Sequence, residues 1–118
     1  MGHEVIARHK PAGTLTVADG AHIARQVSID TSADVFVGTG AVICEGALLL
    51  THDHFDAGVA RLVRRPKVID AGAFIGARSI ILASCAHVGE RAVIGAGSVV
   101  THDVPAGERW AGNPARPL

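Results

Sequence analysis

Tyrosine is absent from this chain, tryptophan and methionine occur once each, and phenylalanine three times in 118 residues. A core without aromatics must be filled by small and branched aliphatic side chains, which suits a narrow, regular interior. Cysteine is equally scarce. Cys44 and Cys85 are too few and too far apart for a disulfide framework. Charge of one sign is lacking too, because 11 Lys and Arg balance 11 Asp and Glu. That argues against a nucleic acid or an anionic membrane as partner. No apolar run approaches the roughly 18 residues of a membrane span. The opening MGHEVIARHK lacks the apolar core of a signal peptide. A reduced, cytoplasmic protein of one domain is the expectation.

What is present is a period. From Ile69 the chain divides into sixes: Ile69, Ile75 and Ile81, then Val88, Ile94 and Val100. Four positions after each stands a small or short residue: Ala73, Ser79, Cys85, Ala92, Ser98 and Val104. The first half follows the same rule through Val17, Ile23 and Ile29, then Val37, Ile43 and Leu49. Two extra residues fall between Ile29 and Val37, and one between Ile81 and Val88. A long insertion runs from Thr51 to Lys67.

Six is neither the helical period nor the two-residue period of a half-buried strand. It fits a short strand and a tight turn, repeated, with the aliphatic residue pointing inward. Three such units close a coil of about 18 residues, and stacked coils share one continuous core. A β-sandwich would need longer alternating strands and more aromatics. The expected fold is all-β: one domain over residues 1–118, with coils over 15–50 and 68–105, an excursion loop over 51–67 and a tail over 106–118.

The [Ile/Val]-Gly-x-x-small-x repeat resembles that of the hexapeptide-repeat acyltransferases. The resemblance covers nearly the whole chain from Val17 to Leu118. Its most specific part is VIGAGSVVTHDVP followed by AGNPAR. That run resembles the end of the maltose, galactoside and polysaccharide-biosynthesis O-acetyltransferases. The resemblance implies a left-handed parallel β-helix, an exception to the usual right-handed crossover. It also implies a homotrimer with sites between subunits, and acetyl-CoA as acyl donor without a metal. The implied acceptor is a saccharide or sugar nucleotide, with a hydroxyl or an amine as the attacking group.

In that family a histidine is the general base. Imidazole titrates near pH 6.5 and can take a proton at working pH. Two histidines compete for the role. The register of the maltose and galactoside enzymes, counted from Leu49, lands on His54. The string Thr51-His52-Asp53 resembles a Ser-His-Asp string of related enzymes and favours His52. Asp53 and Asp56 are candidates to orient an imidazole or sugar hydroxyls. On the donor side, the resemblance assigns Ala96 and Ser98 to the stretch lining the pantetheine groove. It places Thr101 beside CoA and Arg116 near the nucleotide end. The usual lysine after the threonine is here His102, which weakens the expectation of a lysine–phosphate contact. Trp110 is expected to pack against apolar surface. Arg61, Arg64, Arg65 and Lys67 read first as a solvated loop face, with contact to CoA phosphates or an acidic sugar from a neighbouring subunit as the alternative.

Two other classes remain open. Gamma-class carbonic anhydrases resemble this chain in fold and hold zinc between subunits with three histidines. His52 and His54 could supply two, but that family's Gly-His-Gly-Ala string is missing and His87 and His102 do not reproduce its spacing. A non-catalytic coil serving as a scaffold subunit is the third reading.

Overall fold

The computed structural model describes residues 5–7, 13–56 and 59–118, with side chains over 13–53 and 63–118. Among these the chain is built from short β-strands. The first turn holds β1 (Val5–Ala7), β2 (Leu15–Val17) and β3 (His22–Ile23). The second holds β4 (Val27–Ile29), β5 (Val35–Val37) and β6 (Val42–Ile43). The third opens with β7 (Leu48–Leu49) and leaves the coil as a hairpin, β8 (His52–Asp56) and β9 (Val59–Arg64). It returns at β10 (Lys67–Ile69) and continues to β11 (Phe74–Ile75). The fourth holds β12 (Ile80–Ile81), β13 (His87–Val88) and β14 (Val93–Ile94). Then come β15 (Val99–Val100), β16 (Arg109–Gly112) and β17 (Ala115–Pro117).

Three sheets result, and the chain visits them in rotation. Face one is β1-β4-β7-β12-β15, face two is β2-β5-β10-β13, and face three is β3-β6-β11-β14-β16, closed by β17. Within each face the coil strands pair parallel, so the molecule is a three-sided coil. Only β17 runs antiparallel there, folding back on β16. The hairpin β8–β9 forms its own antiparallel sheet, with an irregular register between Asp53 and Phe55.

The six-residue period explains the core. Ile29, Leu49, Ile81 and Val100 stack in register on face one. Ile23, Ile43, Ile75, Ile94 and Trp110 stack on face three. All of these are buried. Each turn therefore adds a like residue to a continuous apolar column, which is how a chain poor in aromatics builds a core. The tight corners need close backbone approach. A Cβ at Gly76 would lie 2.5 Å from the Ala96 amide nitrogen on the next turn, and one at Gly89 would lie 2.4 Å from that of Ala106. Ile75→Ala, in the middle of its column, is expected to lower unfolding free energy by roughly 2–5 kcal/mol. Chemical denaturation at unchanged m-value reads this.

Several sequence expectations are corrected. Val17 does not point into a closed interior but is 44 % exposed. β2 is the outermost strand of face two among the described residues, so no further turn covers it. Coil pairing begins before residue 15, because Val5–Ala7 pairs with Val27–Ile29. Within the tail 106–118, Arg109 and Trp110 pair in parallel with Val93 and Ile94 and extend face three by another rung. At the end of the excursion, Lys67 opens β10, opposite Val35. No helix among the described residues is long and apolar enough to cross a membrane.

Candidate functional site

The three breaks in the period stand above one another. Each falls where the chain passes from face one to face two: after β4, after β7 and after β12. Parallel rungs lie about 4.8 Å apart, so breaks about 20 or 30 residues apart in sequence become neighbours at one corner.

The first break builds an acceptor. Its two extra residues let Asp30-Thr31-Ser32 make a tight polar turn, in which the Ser32 amide and hydroxyl donate to Asp30 Oδ1 at 3.0 and 2.7 Å. Asp30 Oδ2 faces the next turn, where the Thr51 amide donates to it at 2.9 Å. The Thr51 hydroxyl donates to the Asp30 carbonyl at 2.8 Å and accepts from the Ala33 amide at 3.2 Å. Thr51 thus staples the two turns together just before the chain departs as the hairpin.

His52 is the first residue of that hairpin, and its Nδ1 hydrogen-bonds Asp30 Oδ2. The His52 side chain is 9 % exposed and that of Asp30 is 0 % exposed. Burial by itself would raise the Asp30 carboxyl, but hydrogen bonds from Ser32, Thr51 and His52 outweigh it and hold it well below the usual carboxylate range. Asp30 is therefore a carboxylate at neutral pH. A carboxylate only accepts, so His52 donates from Nδ1 and its basic lone pair is on Nε2.

Above the hairpin, the five-residue turn between β12 and β13 is tied from both sides. Asp103 Oδ1, one rung on, accepts from the Ala86 and His87 amides at 2.8 and 3.2 Å. From one rung below, Lys67 Nζ donates to the carbonyls of Leu82, at 3.0 Å, and Cys85. Lys67 is thus not part of a solvated basic face: it is 1 % exposed. Arg64 and Arg65 are exposed as expected. His87 Nε2 hydrogen-bonds Asp70 Oδ2 at 3.1 Å on the outer side of face two. The Ala71 amide, with His87 behind it, lowers the Asp70 carboxyl.

Of the residues proposed from sequence, Thr101 and His102 join His52 at this same corner, on the rung of Asp103. The Thr101 hydroxyl hydrogen-bonds His102 Nδ1 at 2.8 Å. Ala96 and Ser98 occupy the opposite edge of face one, before β15. The buried Ser98 hydroxyl donates to the Gly95 carbonyl at 2.6 Å and accepts from the Gly112 amide at 3.2 Å. It locks β16 to the corner, and Ala96 beside it is exposed. Trp110 packs into the core and donates from Nε1 to Glu108 Oε1 at 2.9 Å. Arg116 is on β17 at the edge of face three, paired with Ala111 of β16, with its guanidinium on the Ala115 carbonyl. The side chains of His54, Asp56 and Arg61 lie outside the described residues. Asp53 follows His52 in β8, but the carboxylate on His52 Nδ1 belongs to Asp30. Among the described residues no three His, Cys, Asp or Glu side chains gather as a metal site.

Asp30, Ser32, Lys67 and Asp103 had not been singled out as site residues from the sequence. Their signal was the position of the breaks, not the residue types.

Comparison with known proteins agrees with this architecture. A family model, the hexapeptide repeat of succinyl-transferase, matches residues 66–102. A bifunctional GlmU protein of Agrobacterium fabrum is 41 % identical over 73 residues, which are 62 % of this chain and 14 % of that protein. A 2,3,4,5-tetrahydropyridine-2,6-dicarboxylate N-acetyltransferase of Staphylococcus aureus strain JH9 is 38 % identical over 87 residues, 73 % of this chain and 30 % of the relative. The chain thus spans less than a third of the length of these two relatives. Among solved structures, a hexapeptide-repeat acetyltransferase of Vibrio cholerae O1 biovar eltor, complexed with acetyl-coenzyme A, superposes with a TM-score of 0.83. It is 25 % identical, over 99 % of this chain and 69 % of that one. A maltose O-acetyltransferase from Clostridium difficile 630 gives 0.78 at 27 % identity, over 88 % of this chain and 57 % of that one.

Proposed function

From a chain that carries the hexapeptide repeat, and whose solved neighbours are hexapeptide-repeat acetyltransferases, we propose that this protein transfers an acetyl group from acetyl-CoA to a hydroxyl of a sugar or sugar nucleotide. The observation that carries the reading is the Asp30–His52 pair at the mouth of the hairpin. An alcohol is a poor nucleophile while it keeps its proton. His52 Nε2 takes that proton as the oxygen bonds the acetyl carbon, and returns it to the sulfur as the C–S bond breaks. Asp30 holds the ring in the tautomer that leaves Nε2 basic and stabilises the imidazolium that forms. Acetyl-CoA supplies the activated thioester.

The donor lies along face one in this proposal. The exposed Ala96 edge and the Thr101–His102 corner bracket the last strand of that face. Its outward residues Leu48, Ile80 and Val99 pair in register as a half-buried aliphatic stripe. That stripe supports a homotrimer with the site between subunits, and the coil is proposed to wind left-handed. Arg116 is assigned to the nucleotide end of the donor, where guanidinium suits phosphate. His54, Asp53 and Asp56 are assigned to the acceptor side of the hairpin. The free thiols of Cys44 and Cys85 support a cytoplasmic setting.

The test measures CoA-thiol release against a panel of sugars and amino sugars, beside thermal unfolding with acetyl-CoA and with zinc. Acceptor-dependent thiol release is expected. So is stabilisation by acetyl-CoA of about 2.7 kcal/mol at a hundredfold excess over Kd. Stabilisation by zinc alone, or no response to acetyl-CoA in either assay, overturns the reading. An amino sugar as the sole acceptor assigns N- rather than O-transfer.

A further inference from the structure

Lys67 occupies the buried position two residues before Ile69, where the repeat elsewhere sets a small or short residue such as Ala73, Ser79 or Ala92. Its neighbours along face two are Val35 in register below and the turn before His87 above. It is among the largest fully buried side chains of the molecule. A lone ammonium in such a place is costly unless its protons are bonded. Here two of the three are directed at the carbonyls of Leu82 and Cys85. The extra residue between Ile81 and Val88 acquires a reason: the longer turn directs those two carbonyls at the ammonium, while its amides go to Asp103.

The backbone of Lys67 is tied elsewhere. Its amide donates to the Asp34 carbonyl at 2.9 Å, in the turn that carries Asp30. Two residues earlier, the Arg65 amide donates to the Thr51 carbonyl at 2.8 Å, closing the base of the hairpin. Lys67 therefore touches all three breaks: the first through its amide, the second as the return end of the hairpin, the third through Nζ.

Resting on the transferase reading above, we propose that Lys67 is a positioning residue of the site. Its buried ammonium ties the return end of the hairpin to the turn above and so fixes the corner on which the Asp30–His52 pair is built. The charge is part of this. Cys85 on the rung above, Asp103 on the next and Asp30 on the rung below are the titratable groups that face it. Burial lowers the ammonium to about 8, with those three groups opposing the shift. Burial also pushes the Cys85 thiol up to about 11, so the lysine titrates first.

The test is Lys67→Met, which keeps an unbranched stem of similar length and removes the charge. Amide hydrogen exchange is followed at Thr51 and Arg65, with Val93 and Gly95 on face three as references. We expect the folded variant to exchange roughly tenfold faster or more at Thr51 and Arg65, with the references unchanged. Turnover should fall with KM for acetyl-CoA unchanged. Uniform exchange across both sets, or a fall in acetyl-CoA affinity with turnover intact, overturns the proposal. If Lys67→Met does not fold, the wild-type chain decides. Its Lys67 Nζ resonance is titrated through pH 8, and the amide resonances of Thr51, Arg65 and Cys85 should move with the same midpoint while Val93 stays put. Amides that stay flat through that midpoint overturn it. If the wild-type chain releases no thiol with any acceptor, the transferase reading fails by itself, and the exchange and titration arms still decide whether Lys67 holds the corner.

Discussion

On the proposed transferase reading, His52→Ala is expected to lower kcat by about 10²–10⁴-fold, the range that a positioned general base supplies. The effect is expected in kcat because the imidazole acts on a proton that moves only as the new bond forms. Acetyl-CoA affinity, read by thermal shift, stays near the wild-type value. The coil stays folded, since His52 stands at the start of the hairpin and outside the buried columns of Ile29, Leu49, Ile81 and Val100. Matching turnover in wild type and variant, at equal folded fraction, would remove His52 from the mechanism. His54→Ala is the parallel measurement, and the larger of the two losses names the base.

Asp30→Asn acts on activity and stability together. Asp30 accepts from the Ser32 amide and hydroxyl on one oxygen, and from the Thr51 amide and His52 on the other. An asparagine has one acceptor oxygen and one donor NH2. Whichever way it turns, the NH2 meets an N–H donor of Ser32 or Thr51. Each buried amide left without an acceptor costs about 1–3 kcal/mol. If the NH2 faces His52, the ring must present a lone pair at Nδ1, and Nε2 then carries the proton and cannot act as base. Turnover is expected to fall by up to about 10⁴-fold, the scale of a wrong-tautomer defect. Unfolding should show the accompanying loss of stability. The acid limb gives a second check. The folded-state Asp30 carboxyl lies below its ordinary value, so the unfolded chain binds its proton more readily. Its contribution is complete above the ordinary carboxylate range and is lost as pH falls through that range and below. The asparagine variant should therefore lose less stability than wild type on acidification. Equal acid sensitivity in the two proteins would show that Asp30 is not held as an ionised acceptor.

Most of the coil was legible in the residues. Ile43, Ile75 and Ile94 are buried because a six-residue unit in a three-sided turn points the same position inward every time. The one inward residue that failed, Val17, failed at the outermost strand of its face, where stacking and not period decides exposure. The hairpin was legible as the long break after Leu49. The pairing within the site was not. Asp30 precedes His52 by 22 residues, and nothing in a six-residue spacing says which carboxylate faces which imidazole. Asp53 is nearer in sequence, but the carboxylate on His52 Nδ1 comes from the turn below. Lys67 was misread for the same reason. A charged residue after Arg64 and Arg65 looks solvated until the turn above is seen to offer it two carbonyls.

The amino-acid sequence by itself determined the repeating unit, the inward columns and the places where the repeat breaks, because those follow from local spacing and from burial of one position per unit. Only the tertiary structure decided that the breaks after Ile29, Leu49 and Ile81 meet. They fall every third unit, and a coil with three faces returns to the same corner after three units, one rung of about 4.8 Å further on. That return sets a carboxylate, an imidazole and a buried ammonium around a single edge, where hydrogen bonds between rungs could form.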